Sequence, residues 1–343
     1  MLHMETKLLK ANEESISLAC KLLKKGEVVA VPTETVYGLA GDSRNANAIR
    51  KIFEAKGRPA DNPLIVHIAS TKMLDGIVRE VNEDAKKLMN AFWPGPLTII
   101  MPKGNKICSE TCAGLDSVGV RMPSNPIAHE IIEKSGVPFS APSANLSGKP
   151  SPTNAEDVFA DMNGRIPLVI DGGESDAGVE STVISVLSDS PVILRPGVIT
   201  KEMIEQVLNK TIEIAKAVTE GVKKDEKVLS PGMKYKHYAP NADVVILKGS
   251  FEKFAEYVNL HKTDGTFALC FDGEEKNLSV PAITYGKIDS PKEQAHELFS
   301  ALRELDKENA KKVFARCPEM TGVSLAVYNR LIRSAGFKII ELD

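Results

Sequence analysis

The segment from Phe139 to Thr153, F-S-A-P-S-A-N-L-S-G-K-P-S-P-T, limits what this chain can fold into more than any other. It is incompatible with a helix, because its prolines remove backbone donors while its Ser and Asn side chains compete for backbone hydrogen bonds. We predict a loop at the end of a short strand, where hydroxyls, an amide and backbone N–H groups face a polar ligand. The alternative is a solvated linker, which is disfavoured because the apolar alternation of a folded domain continues on both sides.

A second polar turn follows a predicted helix over Ala46–Ala55, whose apolar positions have helical spacing. Gly57 is placed to end that helix. Lys56 and Arg58 then lie in a stiff turn, where an ammonium and a forked guanidinium suit the oxygens of phosphate or carboxylate groups. Taken alone, these cations are equally typical of a helix C-terminus, where they stabilise the helix dipole.

The 343 residues predict two domains, and a hydrophobic content of 43% is ample for a sizeable core. The formal net charge of −3 argues against tight, nonspecific binding to nucleic acid. We expect no membrane span and no signal peptide, because no apolar run is long enough. The cysteines lack zinc-site spacing and are expected to be free thiols of a cytoplasmic protein; they are Cys20, Cys108, Cys112, Cys270 and Cys317.

Three predicted strands carry polar residues at or next to their C-terminal ends. The strand Val28–Val31 runs into the turn Pro32–Gly38, and such exits are where α/β folds usually bind ligands. The strand Ser117–Arg121 ends in an arginine that needs an anionic partner, either an internal Asp or Glu or the carboxylate of a ligand. In the strand Leu64–Ile68, His67 alone is more typical of a hydrogen-bonded core residue than of a catalyst.

The rest of the pattern predicts two layered units joined by a linker. A hairpin around Ser188–Ser190 and a helix over Ile199–Leu208 complete the first unit. Strands and helices alternate after residue 240, which is typical of a small Rossmann-like arrangement, although G-x-G-x-x-G is missing. Between them, Ser230–Pro240 sets tyrosines and lysines among prolines, and we predict that it folds over a cleft of the first unit. The predicted divisions are 1–208, 209–240 and 241–343.

Eight short motifs occur in order through the first 240 residues. They are P-T-E-T-V-Y-G-L (Pro32–Leu39), K-G-R-P-x-x-N-P-L (Lys56–Leu64), W-P-G-P-L-T (Trp93–Thr98), V-G-V-R-x-P (Val118–Pro123), S-A-P-S-A-N-x-S-G (Ser140–Gly148), E-S-T-V (Glu180–Val183), L-R-P-G (Leu194–Gly197) and S-P-G-M-K-Y-K-H-Y-A-P (Ser230–Pro240). Together they resemble the YrdC-like threonylcarbamoyl-adenylate synthases in their two-domain form. The later residues are similar to that family's second domain, with weaker motifs.

The resemblance implies an α/β fold, with a YrdC-like twisted, open, mixed sheet and a smaller Rossmann-like C-terminal domain. It implies an L-threonylcarbamoyladenylate synthase, which condenses L-threonine, bicarbonate and ATP to threonylcarbamoyl-AMP and pyrophosphate for threonylcarbamoyladenosine modification of tRNA. Mg²⁺ is expected to bridge the ATP phosphates without dedicated protein ligands. The product is expected to pass to a tRNA threonylcarbamoyl transferase complex, with tRNA contact weak or indirect and no membrane involved.

The same resemblance implies the site residues. Lys56 and Arg58 are the expected catalytic residues, and Asn145 is expected to brace its loop or contact phosphate. The expected threonine site consists of Thr35, His67, Arg121, Ala141 (through its backbone) and Ser181. The expected ATP site consists of Arg58, Asn62, Ser117, Ser143, Asn145, Ser151, Arg195 and Tyr235. Because Walker, G-x-S-x-G and H-E-x-x-H motifs are missing, we expect catalysis by positioning and charge neutralisation.

Two other functions stay open at this point. One is an RNA-binding module without catalysis, which the near-neutral charge and the lack of a stacking aromatic stripe disfavour. The other is a carbamoyl-adenylate enzyme of hydrogenase maturation, which shares the first domain type. That family adds zinc-finger and acylphosphatase-like segments, whose cysteine-rich signature is missing here.

Overall fold

The computed structural model describes residues 5–218 and 238–342. Most of Ser230–Pro240, which was predicted to fold over a cleft, lies outside these residues, and so does Tyr235. The strands are β1 (Lys7–Lys10), β2 (Val29–Val31), β3 (Gly38–Asp42), β4 (Ile65–His67), β5 (Leu97–Pro102), β6 (Ser117–Arg121), β7 (Phe139–Ser140), β8 (Leu168–Asp171), β9 (Thr182–Ser185), β10 (Val192–Arg195), β11 (Glu213–Ile214), β12 (Asp243–Lys248), β13 (Thr266–Cys270), β14 (Ala282–Thr284), β15 (Lys312–Arg316) and β16 (Ile339–Glu341). The helices are α1 (Glu13–Lys24), α2 (Ala46–Lys56), α3 (Glu83–Phe92), α4 (Pro126–Ser135), α5 (Ala155–Met162), α6 (Lys201–Leu208), α7 (Phe251–His261), α8 (Pro291–Lys307) and α9 (Ser324–Ser334). Among the described residues, no helix has the length and apolarity that crossing a membrane would require.

The first sheet is mixed, as predicted, with the strand order β1-β8-β2-β3-β7-β4-β6-β5-β9-β10-β11. Its middle sets the geometry of the site. Strand β4 pairs with β6 in parallel and with β7 in antiparallel, so that His67 lies opposite Arg121 on one side and Phe139 on the other. The ends of three strands therefore bring two candidate residues and the start of the 139–153 segment together.

The second sheet is parallel throughout its described pairs, in the order β14-β13-β15-β12-β16. Helices α7, α8 and α9 connect successive strands, which confirms the Rossmann-like arrangement predicted for the C-terminal part. The predicted hairpin in the first sheet is also present, because β9 and β10 pair in antiparallel.

Local signals explain where several helices begin and end. Asn12 caps α1 by accepting from the Ser15 backbone, and Asn45 accepts from the first turn of α2. Helix α2 ends at Gly57, whose φ of 60° is left-handed and favours glycine. This sharp end turns the chain so that Arg58 reaches the cavity described below.

Five paired strands were not predicted from the sequence: β1, β3, β11, β15 and β16. Strand β3 reads G-L-A-G-D, which lacks β-branched residues and contains two glycines, so its local propensity is low. Strand β15 has a charged residue at each end, yet it lies in the centre of the second sheet. Pairing with neighbours on both sides, rather than local preference, makes β3 and β15 strands.

The two units share a buried interface. Val36 and Val179 of the first unit belong to the same hydrophobic cluster as the core of the second. The ring of Tyr238 lies 5.1 Å from that of Phe299 in α8. At Gly178 a Cβ would come within 2.3 Å of the His296 Cα, so only glycine permits this close approach to α8.

Candidate active site

A cavity lies where β4, β6 and β7 meet the 32–38 turn and the segment before β9. It encloses about 590 Å³ of empty space, part of which is open solvent at its mouth. Its lining residues include eight of those predicted for the site: Thr35, Arg58, His67, Arg121, Ala141, Ser143, Ser181 and Arg195. It also contains residues that the sequence analysis did not assign a role: Thr33, Val36, Gly38, Leu64, Ile65, Pro142, Glu180 and Tyr238. Of the other predicted residues that the structure describes, five do not line it: Lys56, Asn62, Ser117, Asn145 and Ser151.

Arg121 is held by two residues of the 32–38 turn. Its Nη1 donates to Thr35 Oγ1 at 2.8 Å, and its Nη2 lies 2.7 Å from Glu34 Oε1 in a buried ion pair. Burial alone would raise the pKa of the Glu34 carboxyl, but the charge and hydrogen bond of Arg121, together with backbone N–H groups, lower it. Of the two partners considered for this arginine, the structure shows the internal carboxylate.

His67 is buried and uncharged. Its Nδ1 lies 3.2 Å from the Ile65 carbonyl, and its ring stacks on Phe139 with centroids 5.7 Å apart. Burial, reinforced by the positive charge of Arg121, lowers the pKa of His67 to about 3. At neutral pH the imidazole can therefore contact a ligand only as a neutral hydrogen-bonding group.

Lys56 and Asn145 shape the 139–153 loop from behind. The Lys56 Nζ donates to the carbonyls of Ser143 and, at 2.8 Å, Asn145, and it lies 3.3 Å from Asn145 Oδ1. The Asn145 amide in turn donates to the carbonyls of Leu146 and Lys149, both at 2.8 Å. Burial and the nearby Arg58 charge lower the pKa of Lys56 well below its ordinary value. In this arrangement both side chains brace the loop, and the predicted phosphate contacts of Lys56 and Asn145 stay predictions.

The remaining predicted ATP residues are spread more widely. Arg58 lines the cavity, with its guanidinium 5.7 Å from the centre of the Phe53 ring. Asn62 is buried, and its Oδ1 has no hydrogen-bond partner in the described chain. Ser117 begins β6, four residues before Arg121, or about 13 Å along an extended strand. That distance explains why Ser117 does not line the cavity.

Ser181 and Arg195 form the opposite wall. Arg195 donates from Nε to the Ser181 carbonyl at 3.0 Å and from Nη2 to the Ser181 hydroxyl at 3.1 Å. That hydroxyl also lies 2.8 Å from Thr98 Oγ1. Burial lowers the pKa of Arg195, although Glu180 opposes this effect.

Glu180 is the first residue of the E-S-T-V motif, but no role was predicted for it from the sequence. Its Oε1 accepts from Ser151 Oγ at 2.6 Å, and its Oε2 accepts from Arg330 Nε at 2.9 Å. Burial would raise the pKa of this carboxyl, but Arg330, Arg195 and the Ser151 hydroxyl together lower it to about 2. The polar letters of E-S-T-V were a signal for Glu180, whereas nothing local marks Arg330, because its partner is 150 residues away.

The arrangement suits an anionic ligand. Arg58, Arg121 and Arg195 reach one cavity beside hydroxyls of the 32–38 turn and the 139–153 loop. Guanidinium groups bind carboxylate and phosphate oxygens well, and in a partly buried site they can neutralise charge that develops during a reaction. In the described part of the chain, no cluster of three or more His, Cys, Asp or Glu residues could hold a metal ion.

Comparison with known proteins covers nearly the whole chain. The Sua5/YciO/YrdC family model, described as telomere recombination, matches residues 21–197. A second model, described as threonylcarbamoyl-AMP synthase, C-terminal domain, matches residues 199–336.

Individual relatives agree with the family models. The chain is 46% identical to the threonylcarbamoyl-AMP synthase of Bacillus subtilis, over 97% of this chain and 96% of that protein. It is 43% identical to the synthase of Pyrococcus abyssi, with 96% of each chain covered. The crystal structure of P. abyssi Sua5 complexed with L-threonine superposes with a TM-score of 0.91 at 42% identity, covering 99% of both chains. The chain thus belongs to the Sua5/YciO/YrdC family, in the two-domain form of the threonylcarbamoyl-AMP synthases.

Proposed function

We propose that this protein is an L-threonylcarbamoyladenylate synthase. The observation that carries the proposal is the near full-length similarity to threonylcarbamoyl-AMP synthases, combined with a cavity where three arginines meet at the predicted motifs. In the proposed reaction, the amine of L-threonine and bicarbonate form a carbamate with loss of water. A carbamate oxygen then attacks the α-phosphate of ATP, and the bond to pyrophosphate breaks, leaving threonylcarbamoyl-AMP.

The proposed threonine site lies on the β4 and β6 side of the cavity. Thr35, neutral His67, Arg121, the Ala141 backbone and Ser181 form it. Arg121 is held by Glu34 and Thr35, so its guanidinium is already oriented before a substrate carboxylate arrives.

The proposed ATP site extends from Arg58 and Ser143 towards Arg195, and also includes Asn62, Ser117, Asn145, Ser151 and Tyr235. Arg58 and Arg195 would balance phosphate charge, while Lys56 keeps the loop in place and, as proposed from its motif, adds positive charge. Mg²⁺ would be held by the phosphates and water. This fits a site where Glu180 in the cavity lining and Glu34 behind Arg121 are both already ion-paired with arginines.

We propose the domain division 1–208, 209–240 and 241–343, with the linker reaching over the cavity. The described end of that linker supports this, because Tyr238 lines the cavity and the Ala239 N–H donates to the Gly148 carbonyl. The five free cysteines agree with a cytoplasmic location. The product would be handed to a tRNA threonylcarbamoyl transferase complex, with weak or indirect tRNA contact.

The direct test is pyrophosphate release by the purified chain with ATP, Mg²⁺, bicarbonate and L-threonine. We expect release to require threonine and to fall when bicarbonate is depleted, with L-serine as a comparison amino acid. Release that is the same with and without threonine would contradict the proposal. Tight, salt-sensitive RNA binding without ATP binding would favour the non-catalytic alternative instead.

A further inference from the structure

Arg330 of α9 crosses from the second unit to the wall of the cavity. It is fully buried, and its Nε donates to Glu180 Oε2 at 2.9 Å. Its other nitrogens donate to two backbone carbonyls, Nη1 to Pro196 at 2.6 Å and Nη2 to Glu180 at 3.2 Å. Asn329 adds a further bond, because its Oδ1 accepts from Nη1 at 3.1 Å.

The positions of those two carbonyls are significant. Glu180 directly precedes Ser181, and Pro196 directly follows Arg195. One guanidinium therefore holds the backbone next to both residues of this wall, while Arg195 itself holds Ser181. A shift of Arg330 would displace Ser181 and Arg195 together.

The Glu180 side chain extends this contact to a third residue. Its second oxygen accepts from the Ser151 hydroxyl at 2.6 Å, and Ser151 is fully buried in the 139–153 segment. A buried carboxylate that loses its partner is strongly destabilised, so without Arg330 we expect Glu180 to reorient or take up a proton. In either case the Ser151 contact would change.

We propose that Arg330 is a positioning residue, through which the second domain sets Glu180, Ser151, Ser181 and Arg195 for the reaction. This inference rests on the proposed function and adds a role for the C-terminal domain in it. Arg330 does not line the cavity, so it acts through Glu180 and the backbone rather than on substrate. Two guanidiniums near one carboxylate also leave the wall with net positive charge, which suits an anionic ligand.

A matched control separates positioning from simple domain packing. Arg303 of α8 is also a buried arginine that crosses the interface, with Nη2 2.8 Å from Asp161 Oδ2 and 2.7 Å from the Pro150 carbonyl. Neither Asp161 nor Pro150 lines the cavity. Because Pro150 directly precedes Ser151, Arg303→Met can disturb the 139–153 loop as well as the interface, but it leaves the backbone bonds beside Ser181 and Arg195 in place.

The experiment compares full-length wild type, Arg330→Met, Arg330→Lys and Arg303→Met. Thermal melts and threonine-dependent pyrophosphate release are measured, with kcat and both KM values, at a temperature below every transition. We expect both Met variants to lower Tm. Arg330→Met should raise the KM for ATP by about tenfold or more, as when displacement of Arg195 removes one charge-assisted contact, and Arg303→Met should raise it clearly less. Arg330→Lys keeps the charge but loses the fork of donors, so an intermediate KM is expected.

Equal kinetic losses in Arg330→Met and Arg303→Met would overturn the proposal. If Arg330→Met does not fold, Arg330→Lys replaces it, and wild-type kinetics in Arg330→Lys would overturn the proposal. If wild type shows no threonine-dependent turnover, the proposed function fails on its own. The positioning claim is then tested by the rise in Tm that ATP alone produces. The rise in Tm should be smaller in whichever Arg330 variant folds than in Arg303→Met. Equal rises in Tm would contradict the positioning role of Arg330.

Discussion

At the scale of single residues, two neighbouring cations of one motif have different environments. Arg58 lines the cavity, whereas Lys56 is 2% exposed and donates to loop carbonyls. From the sequence alone, both were predicted to be cations of one stiff, polar turn. The structure therefore changes what their substitution should do.

We expect Arg58→Ala to reduce turnover strongly while changing the melting temperature little, because it removes a charge-assisted contact worth about 1.5–3 kcal/mol to the ligand. Lys56→Ala should lose both activity and stability, since it leaves buried carbonyls without a donor at a cost of about 1–3 kcal/mol. Steady-state kinetics and denaturant unfolding of both variants measure this. Unchanged unfolding of Lys56→Ala would show that Nζ does not brace the loop.

His67 predicts a pH dependence of stability. Its pKa is about 3 in the folded chain against an ordinary 6.5, so the unfolded state binds a proton first as pH falls. The stabilisation is complete above pH 6.5 and is lost progressively towards pH 3, by up to about 1.4 kcal/mol per pH unit. Unfolding of wild type and His67→Gln between pH 7.5 and 5 should show the steeper loss in wild type. Parallel curves would mean that His67 is charged in the folded protein.

At the scale of elements, helix α2 depends on its glycine end to aim Arg58. Gly57 has a φ of 60°, and a Cβ there would meet no atom within 4 Å. A side chain at this position would therefore destabilise the fold through backbone strain and not through a steric clash. The 139–153 loop depends likewise on Lys56, the last residue of the same helix. One helix terminus thus positions two parts of the site.

Gly57→Ala should lower the free energy of unfolding by about 1 kcal/mol, because alanine is unfavourable in the left-handed region. Gly57→Asn should cost less, since asparagine tolerates that region better. Denaturant unfolding of the two variants gives the order. An alanine variant as stable as wild type would show that the helix can end in another conformation.

At the scale of the whole molecule, the two units form one interface through ion pairs and a shared apolar cluster. Glu180–Arg330 and Asp161–Arg303 both cross it, and Val36 and Val179 pack into the core of the second unit. In the described chain, no residue beyond position 240 lines the cavity. The second domain therefore supports the cavity wall from behind, through Arg330 and its ion pair with Glu180.

The Glu180 pair predicts how acid affects the assembled molecule. The pKa of Glu180 is lowered from 4.5 to about 2, so its contribution is present above pH 4.5 and is lost as pH falls towards 2. Chemical unfolding at pH 6 and pH 3 should show a larger acid loss for wild type than for Glu180→Gln, which cannot titrate. Equal losses would mean that the carboxylate is not stabilised by its ion pair.

The family, the type of fold, the ends of α2 and α6 to within two residues and eight of the cavity residues were predictable from the sequence. These features follow from local chemistry: caps, glycine ends, prolines and short motifs act within a few residues of where they stand. Tertiary structure alone decided that β3 and β15 are strands, that Lys56 faces carbonyls, and that Arg330 reaches Glu180. The reason is physical, because sheet pairing, desolvation and ion pairing across 150 residues depend on neighbours that only the folded chain brings together.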